Sequence, residues 1–91
     1  MSVMMPLEVR TFPNVEAGKE QALKPLEEAA EVYSAWQRYR ECPTGTNWEL
    51  LVDECADVVQ SVVNLAAALG VDDLGPYMER CEERNRKSGR L

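Results

Sequence analysis

Apolar positions in this chain recur every three to four residues from about Ala17 to Lys87, a helical period. The first such stretch, about Ala17 to Tyr39, carries Leu23, Leu26, Ala30, Tyr33 and Gln37 as one stripe. Pro25 falls inside it, and either kinks the helix or opens it at the first helical position. A loop follows at Cys42-Pro-Thr-Gly-Thr-Asn47, where Thr46-Asn-Trp-Glu49 fits a capping box with Thr46 as the cap. The second predicted helix runs from about Asn47 to Leu69 and stops at Gly70, the expected position just past a helix end. It is apolar nearly all round, through Leu51, Val52, Val58, Val62, Leu65 and Ala66 among others. A third helix opens near Asp72 or Asp73, tolerates Pro76 in its first turn and fades around Lys87, before Gly89.

The pattern before this is different. Residues 1–16 carry Pro6 and Pro13 and only a short alternation of Leu7 and Val9 with Glu8 and Arg10, which predicts an extended arm. Residues 17–91 then form one all-α domain, a helical bundle of two long helices and a shorter third. A helix that is apolar on all sides needs more protein around it than 91 residues supply. The expected solution is homo-oligomerisation, as a homodimer or homotetramer that completes the bundle.

Charge sharpens this picture. The formal net charge is −6, which argues against a nucleic-acid partner held by a broad basic surface. Between Arg40 and Arg80 there is no lysine or arginine, whereas Glu41, Glu49, Asp53, Glu54, Asp57, Asp72, Asp73 and Glu79 fall in that span. The start MSVMMPLEVR has no apolar signal core and no run reaches transmembrane length, so no membrane association is expected. Cys42, Cys55 and Cys81 form no C-x-x-C pair and there is no histidine, so zinc spacing is absent and a reduced, cytoplasmic setting is the plain reading.

The acids themselves are patterned. Glu27-Glu28-x-x-Glu31 lies in the first helix and Glu54-x-x-Asp57 in the apolar second one. Carboxylates three apart sit about 60° from each other on a helix face. Two such pairs on neighbouring helices can aim four acids at one place, which repel unless a cation joins them. A single E-x-x-E on an amphipathic helix reads first as a solvated acidic face. Within an apolar helix, however, an unpaired carboxylate costs several kcal/mol, so a metal ion or arginines from another segment should compensate. Oxygen donors without histidine favour Mg²⁺, Mn²⁺ or Ca²⁺. A di-iron carboxylate bundle would require E-x-x-H motifs, and these are missing.

Glu27-Glu28-x-x-Glu31 followed by Glu54-x-x-Asp57 resembles the signature of the all-α nucleoside triphosphate pyrophosphohydrolases, the MazG-like and dimeric dUTPase superfamily. The flanking text, Leu26-Glu-Glu-Ala-Ala-Glu-Val32 and Leu51-Val-Asp-Glu-Cys-Ala-Asp-Val-Val59, extends the likeness, which covers about residues 17 to 87. The resemblance implies Mg²⁺-dependent cleavage of a nucleoside triphosphate, canonical or modified, to the monophosphate and pyrophosphate, with Mn²⁺ as a substitute ion. By motif position the metal ligands would be Glu28, Glu31, Glu54 and Asp57, and the catalytic acids Glu27 and Glu28, with Glu27 positioning water. Family members often carry a lysine one turn before an asparagine on the last helix. Here Asn85 matches the asparagine, and Cys81 stands where the lysine would be, between Arg80 and Arg84.

Other residues extend the candidate substrate site. Ser61 and Asn64 continue the Asp57 stripe and either hydrogen-bond a sugar or base or satisfy each other across a helix interface. Lys24 is a phosphate contact or a partner for Glu28. Arg80, Arg84 and Lys87 share a face, as a clamp on the outer phosphates or as cations that complement the helix end. Trp36, Tyr39 and Trp48 flank the first loop, as a base-stacking surface or as core. The alternative to an enzyme is a non-catalytic helical oligomer or regulatory module, with a structural cation or acid–arginine pairing.

Overall fold

The computed structural model describes residues 3–91, and these form three α-helices and no strand. The first two residues of the expected arm lie outside the described residues. Helix α1 spans Lys19–Glu41, α2 Gly45–Ala68 and α3 Gly75–Lys87. Helix–helix packing among the described residues is confined to α1 and α2, which form a hairpin across a three-residue connection.

Both helix boundaries at that connection sit slightly away from the sequence-based expectation. The cap of α2 is Thr44, not Thr46: the Asn47 backbone N–H donates to Thr44 Oγ1 at 3.1 Å. Asn47 Nδ2 donates to the Cys42 carbonyl at 2.9 Å, so the turn is closed on both sides and the helix starts earlier. At the other end Gly70 behaves as expected, with φ +89. Its N–H donates to the Ala67 carbonyl and the Val71 N–H to that of Ala66, at 2.9 and 3.0 Å, the two bonds of a Schellman motif. Gly89 closes α3 in the same way. That helix starts later than expected, at Gly75, because Asp73 Oδ1 accepts from the Gly75 N–H at 2.8 Å and holds the entry as a turn.

The larger correction concerns α1. Its sheltered positions are Gln21, Pro25, Glu28, Val32, Ala35 and Tyr39, alternating four and three apart as in a two-helix seam. At 100° per residue this seam lies about 200° from the stripe of Leu23, Leu26, Ala30, Tyr33 and Gln37. That stripe faces outward, with Leu26 68% and Tyr33 60% exposed. Ala35, only 2% exposed, allows close approach to α2 where larger side chains would hold the helices apart. Pro25 does not end the helix; it removes only the donor that would meet the Gln21 carbonyl.

The chain taken alone is open. Its radius of gyration is 15.3 Å, against about 12 Å for a compact 91-residue domain. It exposes 7608 Å², where about 5,400 Å² is usual for a compact monomer of this mass. An apolar groove of about 580 Å³ runs along α2, lined by Val59, Val62, Val63 and Ala66, by Leu7 and Val9 of the arm, and by Val71, Leu74 and Met78 at and before the start of α3. No helix among the described residues is long and apolar enough to cross a membrane.

Candidate metal centre

The seam brings three of the patterned acids together. One carboxylate oxygen each from Glu28, Glu54 and Asp57 lies within 4.8 Å of the other two. Glu28 and Glu54 occupy seam positions and are half-buried, while Asp57, one turn along α2 from Glu54, is exposed. A seam normally takes apolar residues, and here it takes two acids that face each other across the hairpin. Glu31, one turn beyond Glu28 and further round the helix, is exposed and outside this oxygen cluster.

The electrostatics follow from that crowding. Partial burial and the charges of Glu31, Asp57 and Glu28 hold the Glu54 carboxyl above its usual value, against a smaller opposing pull from Arg38. None of the three clustered acids forms a salt bridge with a described lysine or arginine. Lys24 pairs instead with Glu27, 3.4 Å away on the exposed flank of α1.

A hard divalent cation fits this donor set. Two oxygens on opposite sides of an ion bound at about 2.0–2.6 Å stand no more than about 5 Å apart, which the cluster satisfies. Three carboxylates and no nitrogen or sulfur donor suit Mg²⁺, Mn²⁺ or Ca²⁺. Glu28, Glu54 and Asp57 would hold such an ion, with Glu31 at its edge. The expectation of a second pair enclosed on all sides is not met within one chain, because the flank carrying Asp57 lies open beside the cleft.

That cleft measures about 320 Å³ and is lined by Glu28 and Asp57 together with Gln21, Lys24, Gln60, Ser61, Asn64 and Phe12. Ser61 and Asn64, both singled out in the sequence, are buried in its wall. Ser61 Oγ donates back to the Val58 carbonyl at 2.7 Å. Asn64 Oδ1 accepts from Gln60 Nε2 and from the Phe12 backbone N–H, both at 3.0 Å. Its acceptor is therefore spent on the protein itself. Sequence reasoning missed Phe12, Gln21 and Gln60. The only signal for Gln60 was its i, i+4 spacing from Asn64, and a contact 52 residues away gave none for Phe12.

The remaining candidates lie elsewhere. Arg84 and Asn85 are on α3, which has no close backbone approach to either helix of the hairpin. Asn85 Nδ2 donates to Cys81 Sγ at 3.5 Å, and Asn85 Oδ1 accepts from Arg90 at 3.3 Å. Arg86 and Lys87 pair with Glu83, and Arg80 lies over the Tyr77 ring. Tyr39 turns into the seam, while Trp36 stacks on Tyr33 and Arg40 lies over the Trp36 ring, 5.5 Å from its centre. The three cysteines are free. Comparison with protein-family models, curated proteins and solved structures finds no match to this chain.

Proposed function

We propose that this protein is a divalent-cation-dependent nucleoside triphosphate pyrophosphohydrolase that works as a homo-oligomer. The observation that carries the reading is the convergence of Glu28, Glu54 and Asp57 at one point of the hairpin seam without a basic partner. The spacing of the two acidic motifs, which resembles that of the MazG-like enzymes, supplies the reaction class.

A bound Mg²⁺, or Mn²⁺ in its place, supplies charge neutralisation for the phosphates and lowers the pKa of a coordinated water. Glu28, Glu54 and Asp57 would hold the ion, and Glu31 would add negative charge that favours its residence. Glu27 positions the attacking water. Its exposed pairing with Lys24 is worth less than about 1 kcal/mol and is readily exchanged. Lys24, released, is free to meet a phosphate oxygen at the cleft it already lines. Addition of one water across the α–β anhydride gives the monophosphate and pyrophosphate. The outward stripe of α1, the apolar groove along α2 and the excess exposed area support self-association, through which a neighbour's Arg84 and Asn85 reach the phosphates.

The arginine-rich α3 also favours a second reading, a non-catalytic oligomer in which the arginines of one copy neutralise the acids of another. Incubation with a panel of canonical and modified nucleoside triphosphates and Mg²⁺, with pyrophosphate release as readout, separates the two. The enzyme releases pyrophosphate and its Glu54→Gln variant does not. Silence on every nucleotide, or equal release by the variant, leaves the second reading standing.

A further inference from the structure

The arm does not hang free of the hairpin. Gln60 and Asn64, one turn apart on α2, grip its backbone at two successive points. Gln60 Nε2 donates to the Arg10 carbonyl at 2.9 Å, and Asn64 Oδ1 accepts the Phe12 N–H at 3.0 Å. Asn64 is 4% exposed, and the Gln60 amide also donates to its oxygen, so the two side chains stiffen each other. Immediately beyond, Pro13 and Asn14, the latter with φ +60, turn the chain towards α1. The register of Phe12 is thus fixed through its backbone.

Its ring is nevertheless left open. Phe12 is 57% exposed and forms a wall of the same cleft that Glu28 and Asp57 line. An aromatic ring with a pinned backbone and an unburied face gives up stabilisation that burial would provide. The cleft volume of about 320 Å³ is at the small end of ligand sites. Its lining combines the carboxylates of Glu28 and Asp57, the Lys24 ammonium, the Phe12 side chain and the Gln21 amide, which bonds no other described residue. That lining suits a ligand with a cation-bound polyphosphate and a flat heteroaromatic group carrying donors and acceptors.

We propose that Phe12, held in register by Gln60 and Asn64, receives the nucleobase by stacking, so that the arm and not the helices is the specificity element of the cleft. This rests on the pyrophosphohydrolase reading. Gln60 and Asn64 are positioning residues, and Gln21 faces the edge of the base. Stacking on one ring face discriminates weakly between bases and strongly between a nucleotide and a bare polyphosphate.

The test is calorimetric binding, with Mg²⁺, of a non-hydrolysable α,β-methylene nucleoside triphosphate and of inorganic tripolyphosphate. Phe12→Ala is expected to weaken the nucleotide roughly ten-fold and to change tripolyphosphate less than about two-fold, with Phe12→Trp restoring the nucleotide. Asn64→Ala should reproduce the base-dependent loss and abolish the slowing of Phe12 amide exchange that the nucleotide causes in the parent protein. Unchanged nucleotide affinity in Phe12→Ala, or equal loss of both ligands, overturns the role of the arm. Failure of the parent protein to bind either ligand overturns the pyrophosphohydrolase reading itself.

Discussion

The two long faces of α1 make opposite use of the same helix. The face turned to α2 carries Gln21, Pro25, Glu28, Val32, Ala35 and Tyr39, of which only half are apolar side chains well suited to a seam. The face turned outward carries Leu23, Leu26, Ala30 and Tyr33, with Trp36 beside them, and nothing among the described residues covers it. The more apolar face is the unpartnered one. A hairpin that served only its own stability would have been built the other way round. Placing acids in the seam costs stability, and leaving leucines outside forgoes it; both choices fit a subunit whose inner face does chemistry and whose outer face meets a copy of itself.

Substitutions on the two faces should therefore separate cleanly. The largest effect is expected from Glu28→Gln on the inner face. Pyrophosphate release should fall on the order of 10²-fold or more, and Mn²⁺ binding followed by electron paramagnetic resonance should weaken with it. The same variant should melt at a higher temperature than the parent protein in chelator, since one of the charges crowding Glu54 is gone. Loss of activity accompanied by loss of stability would contradict this account of the seam.

Leu26→Asp on the outer face should act on assembly. Placing a charge at the centre of a self-complementary apolar contact is expected to weaken association roughly thirty-fold. Light scattering at low micromolar concentration should then report the mass of a single chain, with helicity retained. An unchanged mass, or a parent protein that is already monomeric, would show that this stripe meets something else.

The smallest effect is a pH dependence. The carboxyl of Glu54 titrates above its usual value in the folded protein, so the folded state binds the proton more tightly than the unfolded one. Without metal, its ionisation destabilises the fold above the raised pKa, and this penalty disappears as the pH falls to the ordinary value of about 4.5. The melting temperature of the parent protein in chelator should gain on that of Glu54→Gln as the pH is lowered through this window. A constant difference between the two would mean that Glu54 is not under strain.

Much of the architecture can be read from the chain. Local signals suffice for the helices: the 3.6-residue period, Gly70 at the end of α2 and Pro76 in the first turn of α3 each act within a few residues. The acids were legible because i, i+3 spacing is a property of the helix itself. Rotation of α1 about its axis was not, because both candidate seams keep heptad spacing, and the apolar rule selects the stripe that the fold leaves exposed. The cap at Thr44 escaped notice because Thr46-x-x-Glu49 fits a short capping pattern, and only the Asn47 bonds, from its N–H to Thr44 Oγ1 and from its side chain to the Cys42 carbonyl, decide between them. Phe12 could not be found at all, since its placement depends on two amides that bond the arm from 50 and 52 residues away.

That separation has a consequence for how the molecule comes into being. The hairpin is built from contacts between neighbours in sequence across a short turn, the kind that form quickly. The arm precedes it on the growing chain, but its two backbone bonds must wait until Gln60 and Asn64 have left the ribosome, seconds at about 5–20 residues per second. The arm is synthesised before either helix of the hairpin yet settles after both, and the cleft acquires its aromatic wall only then.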